Sequence, residues 1–304
     1  MMKYIYYPGC SLNSTGRAYD ESTRFVFRAL GAELEELEDW NCCGATAYMA
    51  VSELQAVALS GRNLAIAERQ AGGGKAQVLA PCAACYLGLV KAQHHLEESE
   101  EVFAKVNRGL ESAGLRYSGR ADVRHPLEVL TKDIGIEAIA KSVRRPLKGL
   151  RIATYYGCQL VRPYPNFDDQ YNPTTMDEIL KAAGAQIVDW PLKTRCCGAS
   201  LTGTIQDVGL RLSFVLLKEA RRRKAQMVAT ACPLCQFNLE CFQPAMRRRY
   251  GEDVSLPIAY FTQILGIALG GSAEDLGLKR LFVPLEPALA AEEPAAAKAG
   301  SAAP

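Results

Sequence analysis

Several common signals are missing from this chain of 304 residues. No apolar stretch is long enough for a membrane span: the longest, such as Ile264–Leu269, fall far short of the ~20 residues required. The start, MMKYIYYPGC, lacks a basic region followed by an apolar core, so no secretory signal is expected. Net charge is close to nil, at +2, and selects no partner. Two basic runs, Arg221–Lys224 and Arg247–Arg249, read as solvated helix ends, where cations suit the negative end of the helix dipole. Docking of an acidic partner is the other reading. Without a wider basic surface or a reading motif, nucleic acid is not an expected partner. With 49% hydrophobic residues, the composition is that of a soluble globular protein of two ordinary-sized domains. It is expected in the cytoplasm, or at a membrane only through partner subunits.

Cysteine is what the chain has in quantity, with eleven residues. Ten of them form two copies of one pattern: Cys10, Cys42, Cys43, Cys82 and Cys85, then Cys158, Cys196, Cys197, Cys232 and Cys235. As spacings these are C-x31-CC-x38-C-x2-C and C-x37-CC-x34-C-x2-C. A disulfide framework fits poorly, because the chain is large, lacks an export signal and has an odd cysteine count. In a reducing compartment, thiols clustered at repeated spacings serve as metal ligands or redox groups.

The repeat extends beyond the cysteines. Tyr6-Tyr7-Pro8-Gly9-Cys10 is echoed by Tyr155-Tyr156-Gly157-Cys158, Asp39-Trp40 by Asp189-Trp190, Cys42-Cys43-Gly44-Ala45 by Cys196-Cys197-Gly198-Ala199, and Gly61 by Gly209. A period of about 150 residues is too long for a solenoid and describes two related domains. In the first half, strands are expected at Lys3–Tyr7, Glu33–Leu37 and Ala76–Ala80. Helices are expected over Arg17–Leu30, from a Ser52/Gln55 capping box onward with Leu54, Val57, Gly61 and Leu64 on one face, and from near Cys85. In the second half, Arg151–Thr154, Gln186–Val188 and Met227–Thr230 read as strands, and Thr175–Ala183, Ile205–Arg223 and Leu234–Arg247 as helices. The fold class is therefore α/β: two pseudo-symmetric domains, 1–149 and 150–282, each with a small parallel sheet flanked by helices. Residues 118–149 join the halves and add helical packing to the first. Residues 283–304, rich in Ala, Pro and Glu, read as a disordered tail.

In each half every cysteine group follows a predicted strand. Parallel strands bring those positions to one carboxyl edge, where open α/β sheets place their ligands. A structural zinc usually takes four ligands from two C-x2–4-C hooks, and only one such hook exists per half. Side chains of adjacent residues diverge, so a vicinal pair suits two atoms of a cluster better than one ion. Five thiols also exceed the four of an ordinary cubane. The pattern favours an iron–sulfur centre of unusual nuclearity in each half.

These motifs, both copies complete, make the chain resemble the duplicated cysteine-rich CCG domain found in the family of heterodisulfide reductase B subunits, in its bacterial form. The resemblance covers about residues 3–270. It implies that Cys10, Cys42, Cys43, Cys82 and Cys85 hold one noncubane 4Fe-4S cluster, and Cys158, Cys196, Cys197, Cys232 and Cys235 another. It further implies a catalytic subunit that reduces or forms a small disulfide, or acts on a related sulfur substrate, between the two clusters. Bacterial relatives also include the E subunit of some succinate dehydrogenases or fumarate reductases, so an electron-relay and docking subunit is the alternative. One cluster plus one zinc would favour that relay. The chain lacks the C-x2-C-x2-C-x3-C-P run of a bacterial ferredoxin. Its expected partners are thus a ferredoxin-like iron–sulfur subunit and a flavoprotein subunit of the same complex.

Among the remaining residues, His125 opens His125-Pro126-Leu127-Glu128-Val129. It is expected at a helix entry and, if near the cleft, is the candidate catalytic proton donor to a leaving thiolate. Cys241 is expected as a buried inert thiol off the ligand face, and His94 and His95 as exposed surface. Lys193 and Arg195 either offset thiolate charge, bind an anionic substrate, or are simply solvated.

Overall fold

Two short parallel sheets organise the chain, and the computed structural model describes residues 2–45, 47–285 and 288–289. The first sheet holds β1 (Met2–Tyr6), β2 (Ala32–Glu36), β3 (Ala76–Leu79) and β4 (Ala121–Arg124), in the order β2-β1-β3-β4. The second holds β5 (Arg151–Tyr155), β6 (Gln186–Ile187), β7 (Met227–Thr230) and β8 (Ile258–Tyr260), in the order β6-β5-β7-β8. All pairings are parallel. Helices cover both faces, which is why β7 is buried along its whole length. In each sheet the chain reverses direction of growth between its two central strands, β1 and β3 or β5 and β7. That is the switch point at which such sheets open a crevice.

The six expected strands form. The fourth strand of each sheet was not expected: β4 lies inside the joining segment and β8 just before Phe261. Four and three residues carry too little pattern to register as strands, and each forms by pairing with its neighbour, Ala76 opposite Ala121 and Val228 opposite Ile258. The Ser52 capping box does not form. Ser52 precedes the helix Glu53–Gln70, but its side chain caps nothing, while the Tyr48 hydroxyl takes up Gln55 at 2.7 Å. Leu54 is exposed, leaving Val57, Gly61 and Leu64 on the buried face. The helix expected over 234–247 is two helices, Pro233–Cys241 and Gln243–Tyr250. Pro244 lacks the N–H that would continue the first helix and starts the second.

The halves pack reciprocally. Helix Arg17–Ala29 of the first half lies on helix Phe261–Ala268 of the second, and helix Thr175–Ala182 of the second lies on the segment 126–142 of the first. The loop after Cys10 reaches the second half's hook: a Cβ on Gly16 would stand 3.1 Å from Cβ of Pro233. The loop after Cys158 reaches the first half's hook helix, Ala83–Glu98. There Tyr164 stacks on His94 at 4.1 Å, and the Asn166 amide donates to the Tyr86 hydroxyl at 3.3 Å. Aromatic rings fill the seam. Tyr19 stacks on Tyr260 with centroids 4.3 Å apart and planes within 2°, and Phe167 stacks on His125 at 5.9 Å and 3°. Ser22 and Thr262 hydroxyls meet at 2.7 Å beside them.

Of the expected tail, the described residues begin packed: the Val283 amide donates to Glu240 Oε1 at 3.1 Å, and Leu285 is buried. Residues 286–287 and 290–304 lie outside the described residues. Among the described residues no helix is long and apolar enough to cross a membrane.

Candidate metal centres

Each cysteine set sits at the carboxyl edge of its sheet. Cys10 and Cys158 follow the central strands β1 and β5, Cys42–Cys43 and Cys196–Cys197 occupy the loops after β2 and β6, and Cys82 and Cys232 cap helices that carry Cys85 and Cys235 in their first turn. Matched hydrogen bonds fix the vicinal loops. The Tyr7 hydroxyl donates to the Asn41 carbonyl at 2.7 Å, and Tyr155 donates to the Arg195 carbonyl at 2.6 Å. Ser60 donates to the Cys43 carbonyl at 2.8 Å, as Ser213 does to the Cys197 carbonyl at 2.9 Å. Thus the residue before each pair and the second cysteine of each pair are held by equivalent groups.

In the second half all five cysteines line one cavity of about 510 Å³, which Gln159 also borders. Cys197 Sγ and Cys235 Sγ are 3.5 Å apart, and the Gly198 amide donates to Cys196 Sγ at 3.3 Å. In the first half the Ala45 amide donates to Cys43 Sγ at 3.4 Å. Gly9, with φ +67°, leaves room for Cys85: a Cβ there would lie 2.8 Å from its sulfur. Burial first, then Cys85, Cys43, Cys42 and Cys10, raises the Tyr7 phenol, so four of the five thiols surround one ring. Tyr155 is raised in the same way by burial and then by Cys235, Cys197, Cys158 and Cys196. Cys10, Cys42 and Cys196 form an exposed rim, Cys158 is half-buried, and the rest are buried.

The thiols share protons within each set. Cys43 is pushed down to about 4, first by the Cys42 thiol and then by Cys85. Cys196 is pushed down to about 6, first by Cys158, then by the Gly198 amide and Arg162. Cys82 is lowered first by Cys85, and Cys197 first by Cys235. Cys42, Cys85, Cys158 and Cys235 are raised, each first by the neighbouring thiolate it donates to. Soft donors of this kind suit a thiophilic metal, whose binding displaces their protons. Among the described residues, no three His, Cys, Asp or Glu side chains close on a point as the ligands of a single ion do. The arrangement is an open cup, with room for a group of several atoms.

A smaller cavity of about 290 Å³ lies beside the first set, between Met49, Ala84, Leu87, Gly88, Lys91 and Gln159. A Cβ on Gly88 would be 3.7 Å from Cys43 Sγ. Gln159 borders both cavities. A further cavity of about 480 Å³, between helices Glu53–Gln70 and Glu100–Glu111, contains no cysteine.

His125 occupies the helix entry that the sequence indicated. Its Nε2 lies 2.9 Å from the Pro81 carbonyl, and its Nδ1 accepts from the Leu127 amide at 3.2 Å. It is fully buried, and burial pushes its pKa down to about 3 against the carbonyls of Pro81 and Ala231. The neutral ring is therefore a helix cap with both nitrogens occupied, wedged between the residues that precede Cys82 and Cys232. Lys193 is neither solvated nor turned to the thiols: its ammonium is buried and pairs with Asp177 at 2.5 Å. Arg195 is exposed, Cys241 is half-buried with its pKa raised by burial, and His94 is stacked under Tyr164. Sequence reading passed over Tyr7, Tyr155, Ser60, Ser213, Gln159 and the seam aromatics. The usable signal was offset: Tyr7 and Tyr155 each stand three residues before the first cysteine of their half.

Comparison with known proteins agrees with this geometry. Residues 4–90 and 152–240 each match the cysteine-rich domain family CCG. The chain is 31% identical to the 8-methylmenaquinol:fumarate reductase membrane anchor subunit of Wolinella succinogenes, over 91% of this chain and 95% of that one. It is 30% identical to the B subunit of the ferredoxin/F(420)H(2)-dependent CoB-CoM heterodisulfide reductase of Methanosarcina acetivorans, over 92% and 93%. It is also 30% identical to a protein of Archaeoglobus profundus described as like the heterodisulfide reductase B subunit, over 90% and 93%. A crystal structure of a hypothetical protein from Helicobacter pylori shares the fold, with TM-score 0.73 at 15% identity, over 93% of this chain and 52% of that one.

Proposed function

This chain belongs to the cysteine-rich CCG domain family, and on that premise we propose that it is an iron–sulfur electron-relay subunit of a fumarate reductase or succinate dehydrogenase type complex. Its relatives are subunits of redox assemblies, and it is a redox subunit of that kind. The observation that carries the reading is the pair of complete five-thiol sets, each with a buried hook and an exposed rim, the second of them lining one cavity. Cys10, Cys42, Cys43, Cys82 and Cys85 would hold one centre, and Cys158, Cys196, Cys197, Cys232 and Cys235 the other. When bound, such centres supply storage and passage of single electrons. The protein's share is positional. Tyr7 and Tyr155 pin the vicinal loops, amides point at the sulfurs, and the covering loops keep water from the hooks. The exposed rim gives partner subunits, a flavoprotein and a ferredoxin-like protein, a short approach. Membrane association would come through those partners.

A second reading has its own support. Gln159 borders both the cavity lined by the second set and the cavity beside the first, which favours a place for one small disulfide between them. Reduction or formation of such a disulfide, as in heterodisulfide reductase, would use that space.

Metal and sulfide analysis of the anaerobically purified protein, with identification of co-purifying subunits, tests both. About eight irons per chain with a fumarate reductase or succinate dehydrogenase flavoprotein supports the relay with two centres. About four irons and one zinc supports a relay with a single redox-active half. Turnover of small disulfides, lost in Cys197→Ser, supports the second reading. Zinc without iron overturns both.

A further inference from the structure

Helix Gln206–Arg222 has one face in the core, with Leu210, Phe214, Leu217 and Ala220 buried. Its opposite face is open to solvent but is not purely polar. Val208, Arg211, Val215, Lys218 and Arg222 recur three or four residues apart, so they form one exposed stripe. Ile205 extends the stripe at the helix entry. Ile205, Val208 and Val215 leave 56%, 43% and 43% of their surface uncovered. Single exposed aliphatics are ordinary on a protein surface. Three on one stripe, interleaved with cations, form a surface with two chemistries to satisfy.

The other half of the molecule indicates what such a face receives. Ser60 and Ser213 donate to equivalent carbonyls and so align this helix with Glu53–Gln70. On that alignment Lys218 stands at the place of Ala65, and Arg221 at the place of Glu68. Ala65 and Glu68 are buried. Helix Glu100–Glu111 and the segment after it cover them: Val106 packs at Gly61, and the amides of Ser118 and Arg120 donate to Glu68. The covering helix opens on Glu100 and Glu101 and buries Val106 and Leu110. The second half has a shorter cover. Helix Gln243–Tyr250 lays Tyr250 on Phe214 at 4.3 Å, and Lys218 and Arg221 stay exposed. Charge is concentrated at the same place. Residues 206–255 contain nine Lys and Arg against five Asp and Glu, in a chain with a net charge of only +2. Among the described residues Arg211, Lys224, Arg247 and Arg248 have no carboxylate partner. Lys218 pairs with Glu252 at 2.6 Å on the surface, where such a pair contributes little and is readily exchanged.

We propose that this stripe is the docking site for an acidic amphipathic helix of a redox partner subunit, whose apolar side packs on Ile205, Val208 and Val215 and whose carboxylates pair with Arg211 and Lys218. Complementary charge of this kind sets the orientation and speed of docking. The position suits a relay. The stripe begins at Ile205, just beyond Ala199, Ser200 and Leu201, which line the cavity of the second cysteine set. A partner seated there lies beside the exposed Cys196. An anionic lipid surface fits less well: an interfacial helix buries a continuous apolar face, whereas these aliphatics are more than half covered or stand between cations. The inference rests on the relay reading above.

The test uses the complex isolated through a tag on the full-length chain. A carbodiimide, which joins amines to carboxylates, is expected to link Lys218 or Lys224 to Asp or Glu of a co-purifying flavoprotein or ferredoxin-like subunit identified by mass spectrometry. Arg211→Glu/Lys218→Glu is expected to keep its iron and its melting temperature and to lower the yield of that subunit by about tenfold or more. Lys141→Glu/Lys148→Glu makes the same change of net charge at exposed lysines elsewhere and is expected to retain the subunit. Crosslinks confined to other lysines, with the subunit retained by Arg211→Glu/Lys218→Glu, overturn the proposal. Equal loss of the subunit from both double variants also overturns it, because net charge and not the stripe would then be the cause. So does binding of the parent to phosphatidylglycerol vesicles that Arg211→Glu/Lys218→Glu abolishes while the subunit stays bound, which would make the stripe a lipid contact. Parent protein that purifies with no redox subunit overturns the relay reading itself, and the inference with it.

Discussion

The sulfurs of Cys197 and Cys235 stand 3.5 Å apart although thirty-eight residues separate them in the chain. One belongs to the vicinal loop after β6 and the other to the helix after β7, so their contact is a direct product of parallel strands ending at one edge. Cys197→Ser weakens a soft ligand at the buried base of the second cup and leaves the first untouched. Iron content is expected to fall to about half of the parent value, with the spectrum of one centre retained. Metal analysis beside EPR checks this, and full iron in the variant would remove Cys197 from the ligand set.

Tyr155→Phe removes the donor to the Arg195 carbonyl while keeping the buried ring. A carbonyl left unsatisfied costs roughly 1–3 kcal/mol, and the loss falls on the loop that carries Cys196 and Cys197. Denaturant unfolding should show the cost. Labelling of the metal-free protein with a thiol reagent should show faster reaction at Cys196. Parent-like stability and labelling would mean that the hydroxyl does not hold the loop.

Gly209 lies where helix Gln206–Arg222 crosses helix Ala199–Thr202, directly after the second vicinal pair. A Cβ there would stand 2.3 Å from Thr202 Oγ1 and 2.8 Å from Thr202 backbone atoms. Gly209→Ala is expected to destabilise by about 1–3 kcal/mol through overpacking. Gly61, its partner in the sequence echo though not in the folded repeat, would meet Val106 Cγ1 at 3.2 Å, a methyl that can shift, so Gly61→Ala should stay within about 1 kcal/mol of the parent. Comparing the two variants by denaturant unfolding separates a backbone crossing from an ordinary helix glycine.

Glu240 is buried beneath the segment that follows Leu281. Burial, opposed by the amides of Val283 and Phe282 and by Gln236, raises its carboxyl to about 7. The sign follows from linkage. Below the unfolded value of about 4.5 both states are protonated, and between there and about 7 the unfolded chain releases a proton that the folded chain keeps. Stability from this group is therefore complete at low pH and is lost as pH rises through that window, by up to about 3 kcal/mol. Glu240→Gln should flatten that part of the pH profile relative to the parent. Parallel slopes in thermal melts from pH 4.5 to 8 would contradict the assignment.

Much of the architecture was legible because the duplication gave every signal twice. Strand runs and the cysteine groups fell where the folded chain has them. What escaped depends on partners distant in sequence. Strands β4 and β8 are too short to show a period and exist through pairing with β3 and β7. Lys193 read as a charge beside thiols, yet its partner Asp177 lies on another element and draws it into the core. The break between Cys241 and Gln243 was available in Pro244 and passed over because the apolar pattern continues across it. His125 was located correctly as a helix entry, but its occupied nitrogens and its place at the seam arise only once two sheets meet. The vicinal loops were visible as motifs, and the tyrosines that fasten them were visible only as an echo without an assigned purpose.

The exchange of covering loops between the halves bears on how such a chain can come into being. Each lobe's thiol hook is sheltered by a segment its sibling donates: Gly16 lies over Pro233, and Tyr164 and Asn166 over His94 and Tyr86. A one-lobe ancestor with this geometry could have protected its sulfurs only as a homodimer. With both lobes in one chain the two crossing segments need not match, and they do not: Tyr19 sits on the helix Arg17–Ala29, whereas Phe167 lies in the loop that precedes its helix.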